Sequence, residues 1–194
     1  MNKICLFLFL AFTALSSSAQ FNVYARMFGI TNGKPQKIVM ETTGEVFTFD
    51  KDGRLISYSL DNDEIRYSWN GQKITLTAYQ NGKKIGEDYM TVTNNTDREV
   101  LLSLPSGTVK ETYRANGSED QSILSSNGQS MVETCFYNSE EDRCPYKVTQ
   151  SFQGQTETIL ISGYEFDAKG NWIKSTVKSN GQTMTEIRTI TYYK

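Results

Sequence analysis

Ile65-Arg66-Tyr67-Ser68-Trp69-Asn70-Gly71-Gln72-Lys73-Ile74-Thr75-Leu76-Thr77-Ala78-Tyr79-Gln80-Asn81-Gly82 decides the fold class of this chain. Ile65, Tyr67 and Trp69 alternate with Arg66, Ser68 and Asn70. After the Asn-Gly step the same period resumes, with Ile74, Leu76 and Ala78 against Thr75, Thr77 and Tyr79. A period of two puts one set of side chains on a buried face and the other in water, which is the signature of half-buried antiparallel strands. Asn-Gly suits the type I′ turn, whose central residues both need φ > 0 and whose twist matches paired strands.

The pattern extends in both directions. Turn pairs recur about every ten residues: Asn32-Gly33, Asp52-Gly53, Asn81-Gly82, Ser106-Gly107, Asn116-Gly117, Asn127-Gly128, Lys169-Gly170 and Asn180-Gly181. Between them Ile56, Tyr58 and Leu60 alternate, as do Val100, Leu102 and Leu104, and Ile173, Ser175 and Val177. No window carries a helical stripe, and Pro35, Pro105 and Pro145 stand beside turns or loops, where strands tolerate them. The expected fold is an all-β antiparallel meander of more than ten strands, forming a curved open sheet or a sandwich. A closed lipocalin-like barrel is the alternative.

The N-terminus carries a different signal. Lys3, an apolar run Ile4–Leu15 and the small residues Ser16 to Ala19 have the order of a secretory signal peptide. Twelve apolar residues fall short of the roughly 20 a membrane-spanning helix requires, so no transmembrane anchor is expected. Cys5 opens the apolar run rather than following it, which argues against lipidation. Residues 1–19 are therefore read as the signal and 20–194 as one all-β domain, working in the periplasm or at the cell exterior.

Charge excludes one class of partner. The 194 residues hold 20 basic and 22 acidic side chains, with the basic ones scattered, so nothing follows a phosphate backbone and no nucleic-acid partner is expected. The chain has no histidine, which removes Ser-His-Asp and Cys-His nucleophile systems and the common zinc sites. After cleavage two cysteines remain, Cys135 and Cys144. An even pair in an exported chain predicts a disulfide across the polar run Asn138–Asp142.

Two stretches share the pattern F-D-x-x-G-x-apolar: Phe49-Asp50-Lys51-Asp52-Gly53-Arg54-Leu55 and Phe166-Asp167-Ala168-Lys169-Gly170-Asn171-Trp172. They resemble the tyrosine-aspartate (YD, or Rhs-type) hairpin repeat. The whole plan, a signal followed by a β-meander closing on such a unit, is similar to secreted Bacteroidales proteins of unknown function. The resemblance implies an exported β-sheet protein and transfers no catalytic residue.

For chemistry, carboxylates are what remain. Glu41, Glu45, Asp61, Glu64, Glu133, Glu157, Glu165 and Glu186 are candidates for a glycan-hydrolase pair, which a buried couple with raised pKa would mark. Asp50-x-Asp52-Gly53 and Asp61-x-Asp63-Glu64 lack the full calcium-loop pattern and are read as turns. No metal, cofactor or enzymatic activity is expected. The leading expectation is a noncatalytic binding or structural module that presents a β surface to glycan or protein. Trp172, Tyr79 and Lys174 are its candidate contact residues; a carrier of a small apolar ligand is the alternative.

Overall fold

The computed structural model describes residues 24–194; the signal peptide, its cleavage point and Cys5 lie outside the described residues. Fourteen strands follow one another: β1 (Pro35–Met40), β2 (Glu45–Phe49), β3 (Leu55–Leu60), β4 (Asp63–Asn70), β5 (Lys73–Gln80), β6 (Lys83–Asn95) and β7 (Glu99–Leu104), then β8 (Gly107–Tyr113), β9 (Glu119–Ser126), β10 (Gln129–Phe136), β11 (Lys147–Phe152), β12 (Gln155–Phe166), β13 (Trp172–Ser179) and β14 (Gln182–Tyr192). Each pairs antiparallel with its sequence neighbours, and β1 pairs with β14 from Pro35↔Tyr192 to Met40↔Arg188. The sheet is therefore a closed barrel, and the expected open sheet or sandwich is corrected. Closure removes the two unpaired edges that a fourteen-strand meander would otherwise expose.

The hairpins form as their turn residues dictate. Asn81-Gly82, Asn127-Gly128 and Asn180-Gly181 all have positive φ at both central positions. Gln153-Gly154 does the same without an asparagine. The two F-D-x-x-G stretches build one and the same turn. Asp50 Oδ1 accepts from the amides of Asp52 and Arg54, and Asp167 Oδ1 accepts from those of Lys169 and Asn171.

Two local expectations change. Ile56 is exposed while Leu55 and Tyr58 are buried, because a register shift between Thr48 and Phe49 pairs Phe49 with Leu55 and reverses the alternation there. Gly107 is not a turn residue: the turn is Pro105-Ser106, and Gly107 opens β8 opposite Leu104.

The interior is divided. Across β1 to β8 it is packed with apolar side chains, among them Ile38, Phe47, Phe49, Leu55, Ile74, Met90, Val100 and Leu102. Ala25, Met27 and Ile30 of the N-terminal segment join them. About eight strands already make a barrel that side chains can fill, so a barrel of fourteen needs additional filling, and this segment supplies part of it. A 3-10 turn, Ala25–Phe28, brings the Phe28 ring to 4.6 Å from Phe47 and 5.3 Å from Phe49. Across β10 to β13 the apolar content is a small cluster, Val148, Ile159 and Val177 with Cys135 and Ile161 beside it.

The same segment floors one end of the barrel. Asn171 Oδ1 accepts from the amides of Thr31 and Asn32 at 2.9 and 3.2 Å, and Asn171 Nδ2 donates to Asn32 O and to Tyr192 Oη, both at 2.7 Å. The β10–β11 loop folds under the same end: Arg114 donates to Asp142 O and Ser139 O, and Arg143 donates to Thr31 Oγ1.

The expected disulfide is not formed in the structure: Cys135 sits in β10 opposite Val148, Cys144 lies in the β10–β11 loop, and both thiols are free.

Candidate functional site

The register places five inward positions in one row across the second half of the barrel. Glu111 of β8 pairs with Ser122 of β9, Ser122 with Glu133 of β10, Glu133 with Gln150 of β11, and Gln150 with Glu157 of β12. Alternation on each strand makes the row a polar belt between apolar rows. Val109, Leu124, Met131 and Phe152 lie on one side; Cys135, Val148 and Ile159 lie on the other.

At the floor end of the belt the groups converge. Glu111 is 1% exposed, and Tyr113 Oη donates to its Oε2 at 2.8 Å. Gln150 Nε2 donates to Glu133 Oε2 at 2.7 Å. Glu119 enters from the start of β9, opposite Tyr113. A carboxyl oxygen of Glu119, one of Glu133 and the Cys135 sulfur all lie within 4.8 Å of one another. Glu119 Oε1 is fully buried and has no hydrogen-bond partner. Among the described residues none of Glu111, Glu119 and Glu133 is in an ion pair.

Electrostatics follow from that crowding. Burial pushes the Glu111 carboxyl up to about 8, with the nearby Glu133 charge adding and the Tyr113 hydrogen bond opposing. Burial, then the charges of Glu111 and Glu133, holds Glu119 well above the usual carboxylate range. Burial raises Glu133 as well, against the Gln150 hydrogen bond. The Cys135 thiol is pushed up by burial and by Glu119 and Glu133. Three desolvated carboxyls are thus biased toward their neutral forms, as burial and like charges in a low-dielectric site dictate, with the Arg26 guanidinium, 4.6 Å from the Tyr113 ring centre, pulling Glu111 the other way.

The rest of the inner wall is also acidic. Ser179 Oγ and Asn180 Nδ2 donate to Glu157. Glu186, opposite the buried Ser175, is raised by burial. Among the described residues of β8 to β14, Arg188 is the one inward cation. It donates to Trp172 O and Phe28 O at 2.6 Å each, while its Nη2 is buried with no hydrogen-bond partner. At the opposite end, the inward residues Phe152 and Met184 are 38% and 46% exposed, so that rim is open to water.

The contact residues expected from sequence do not come together. Trp172 is half-buried with the Arg188 guanidinium 3.6 Å from its ring centre and Tyr164 against its edge. Tyr79 lies on the outer wall with Arg66 over its ring at 4.5 Å. Lys174 is paired with Glu165 at 2.6 Å. Of the carboxylate candidates, Glu45, Glu133, Glu157 and Glu186 face inward, Glu45 accepting from the hydroxyls of Tyr58 and Thr43, whereas Glu64 is paired with Arg66 outside. Glu111 and Glu119 were missed. The signal for Glu111 was legible, since it continues the inward alternation Val109, Glu111, Tyr113 as a charged residue at an apolar position.

The outer wall is rich in threonine and serine. Thr75 and Thr77 of β5, Thr108, Lys110 and Thr112 of β8, Thr156 and Thr158 of β12, and Thr183, Thr185, Thr189 and Thr191 of β14 occupy outward positions. Cross-strand pairs such as Ser125–Ser130 and Ser151–Thr156, both at 2.9 Å, join neighbouring strands on this surface. The same face also carries apolar and aromatic side chains, among them Tyr89, Leu160 and Ile187, which are 49%, 46% and 42% exposed. The fold is an antiparallel fourteen-strand barrel with a packed half and an acidic half.

No protein-family model matches the chain, and no curated protein matches it. Among solved structures the chain is similar to a porin-like protein from Bacteroides vulgatus ATCC 8482, at 13% identity, covering 82% of this chain and 99% of that one, with a TM-score of 0.43. Among the described residues no helix is long and apolar enough to cross a membrane.

Proposed function

We propose that the protein is a noncatalytic, water-soluble binding barrel of the periplasm or cell exterior that takes a small cationic ligand on the inner wall of β8 to β14. One observation carries this: Glu111, Glu119 and Glu133 are buried together with no ion pair, on a wall that also bears Glu157 and Glu186. Burying several carboxyls without partners costs stability. A cation entering from the water-exposed end would neutralise them.

The other readings have less support. An apolar cargo would need the apolar half of the lumen, which Phe47, Phe49, Met90 and the N-terminal segment already fill. A glycan platform needs free aromatic faces, and Trp172 and Tyr79 each have an arginine over the ring. A carboxylate hydrolase needs two carboxyls whose pKa values are pushed apart, one acid and one anion. Here all three move up, and no neighbour holds one of them ionised.

Calorimetric titration of the mature protein tests the reading, with a linear diamine, a series of divalent metal ions, a long-chain fatty acid and a mixed glycan set. Saturable binding of a cation of either class, weakened at least tenfold by Glu133→Gln, is the expected result. Fatty-acid binding without cation binding would replace the reading with an apolar carrier. Glycan binding lost on Trp172→Ala would replace it with a surface module.

A further inference from the structure

We propose that Glu119, Glu133 and Cys135 form a binding site for a single divalent metal ion of the zinc type. The inference rests on the cationic-ligand reading above and names its ligand. Two oxygen donors and one sulfur donor lie within 4.8 Å of one another. Donors around a tetrahedral zinc, with bonds of about 2.0–2.3 Å, stand roughly 3.3–3.8 Å apart, so the group needs to contract by at most about 1.5 Å to close on an ion.

The orphaned oxygen is the independent sign that something is bound here. Glu119 Oε1 is buried and has no hydrogen-bond partner, whereas buried polar atoms in folded proteins are nearly always satisfied. Its neighbours are already oriented. Gln150 donates to Glu133 Oε2 and leaves the other oxygen free, as an outer-shell partner does for a metal-bound carboxylate. The Tyr137 hydroxyl donates to the backbone carbonyl of Glu119 and fixes the start of β9. Glu111, held by Tyr113 on the same inner face, stands close enough to raise the Glu119 carboxyl and is the natural outer-shell anion.

Donor chemistry sets the class of ion. A thiolate with two carboxylates favours zinc-like ions over calcium and magnesium, which prefer all-oxygen shells. Two carboxylates and a thiolate bring a charge of −3, and a divalent ion leaves −1. On binding, the metal takes the thiol sulfur and the carboxyl oxygens, and the protons they carried go to solvent. A bond between Cys135 and Cys144 would remove the sulfur donor, so the site requires the free thiols seen in the structure.

The test uses metal-free mature protein together with Cys144→Ser, a variant in which that disulfide cannot form. Cobalt(II) titration, read by sulfur-to-cobalt charge-transfer absorption in the near ultraviolet, is expected to give one ion per chain in Cys144→Ser and in the reduced wild type. Zinc should displace the cobalt. Cys135→Ser should abolish the band, and Glu119→Gln should weaken binding at least tenfold while the circular dichroism spectrum stays that of the wild type.

No cobalt band in Cys144→Ser, or binding unaffected by both Cys135→Ser and Glu119→Gln, overturns the proposal. Calcium binding that survives Cys135→Ser also overturns it, by showing an all-oxygen site. A protein that binds the diamine in a Glu133-dependent way but takes no cobalt sinks the metal inference alone. A protein that binds neither sinks the reading beneath it.

Discussion

Glu111→Gln should make the barrel less sensitive to alkali. In the native state burial lifts this carboxyl from the ordinary value of 4.5 to about 8, so the folded protein holds a proton there that the unfolded chain has released. The group's stabilising contribution is complete below pH 4.5 and is lost as pH rises through about 8. At about 1.4 kcal/mol per unit, the ceiling on that loss is about 5 kcal/mol. Glu119 and Glu133 share the same buried space and take up part of the effect, so the loss assignable to Glu111 alone is smaller than that ceiling. Glutamine keeps an acceptor for the Tyr113 hydroxyl, now 2.8 Å from the carboxyl, and cannot ionise. Urea unfolding followed by tryptophan fluorescence from pH 4.5 to 9, in the presence of a chelator, reads the difference. Wild-type stability should fall across this range and the variant's should fall less, so that the variant is the more stable protein at pH 9. Parallel profiles, or a wild type that gains stability with pH, would refute the account of these carboxyls as desolvated and unpaired.

Arg188→Met should cost about 2–3 kcal/mol by leaving Trp172 O and Phe28 O without their donor. It should also speed limited proteolysis within residues 24–34, because Arg188 ties that segment to the wall. Gly107→Ala should lower the melting temperature far more than Gly128→Ala. A Cβ at 107 would lie 1.8 Å from Ser125 O and break the β8–β9 pairing, whereas one at 128 meets nothing within 4 Å and brings only the roughly 1 kcal/mol of positive φ. If the barrel is water-soluble as proposed, the protein should stay monodisperse by sedimentation without detergent; a need for detergent would contradict that reading.

How far the sequence was legible depends on how local each feature is. The turns at Asn81-Gly82, Asn127-Gly128 and Asn180-Gly181 and the alternation of Ile65 to Ala78 are local, and they come out as read, whereas Asn70 closes β4 opposite Lys73 and leaves Gly71-Gln72 as the turn. Closure is not local: it rests on Ile38 meeting Ile190 and Met40 meeting Arg188, pairings between opposite ends of the chain that no turn residue announces. The site is intermediate. Glu133 was one carboxylate among many. What distinguishes it is that Ser122 and Gln150 set the register that puts Glu111 two strands away on the same row, and a register is visible only once the strands are paired. Trp172 misled for a related reason. Its position opposite Ile173 reads as outward, yet the β12–β13 register shifts near Glu165 and Phe166, and Arg188 covers the ring.

The division of the lumen links stability to function. A barrel of fourteen strands has more interior than its own side chains fill, and this one assigns the two halves different tasks. Phe47, Phe49, Leu55, Ile74, Met90 and Leu102 are each almost wholly buried, at about 1.5–3 kcal/mol apiece, and the N-terminal segment completes that packing. Glu111, Glu119 and Glu133 work against stability, since each is desolvated and none has an ion partner. An apolar row Val109-Glu111-Tyr113 would fold at least as well with leucine at its centre, and Glu119 could have been any residue that leaves no orphaned oxygen. Stabilising one wall so thoroughly while burying unpaired carboxyls on the other is the arrangement expected when those carboxyls wait for a cation from outside.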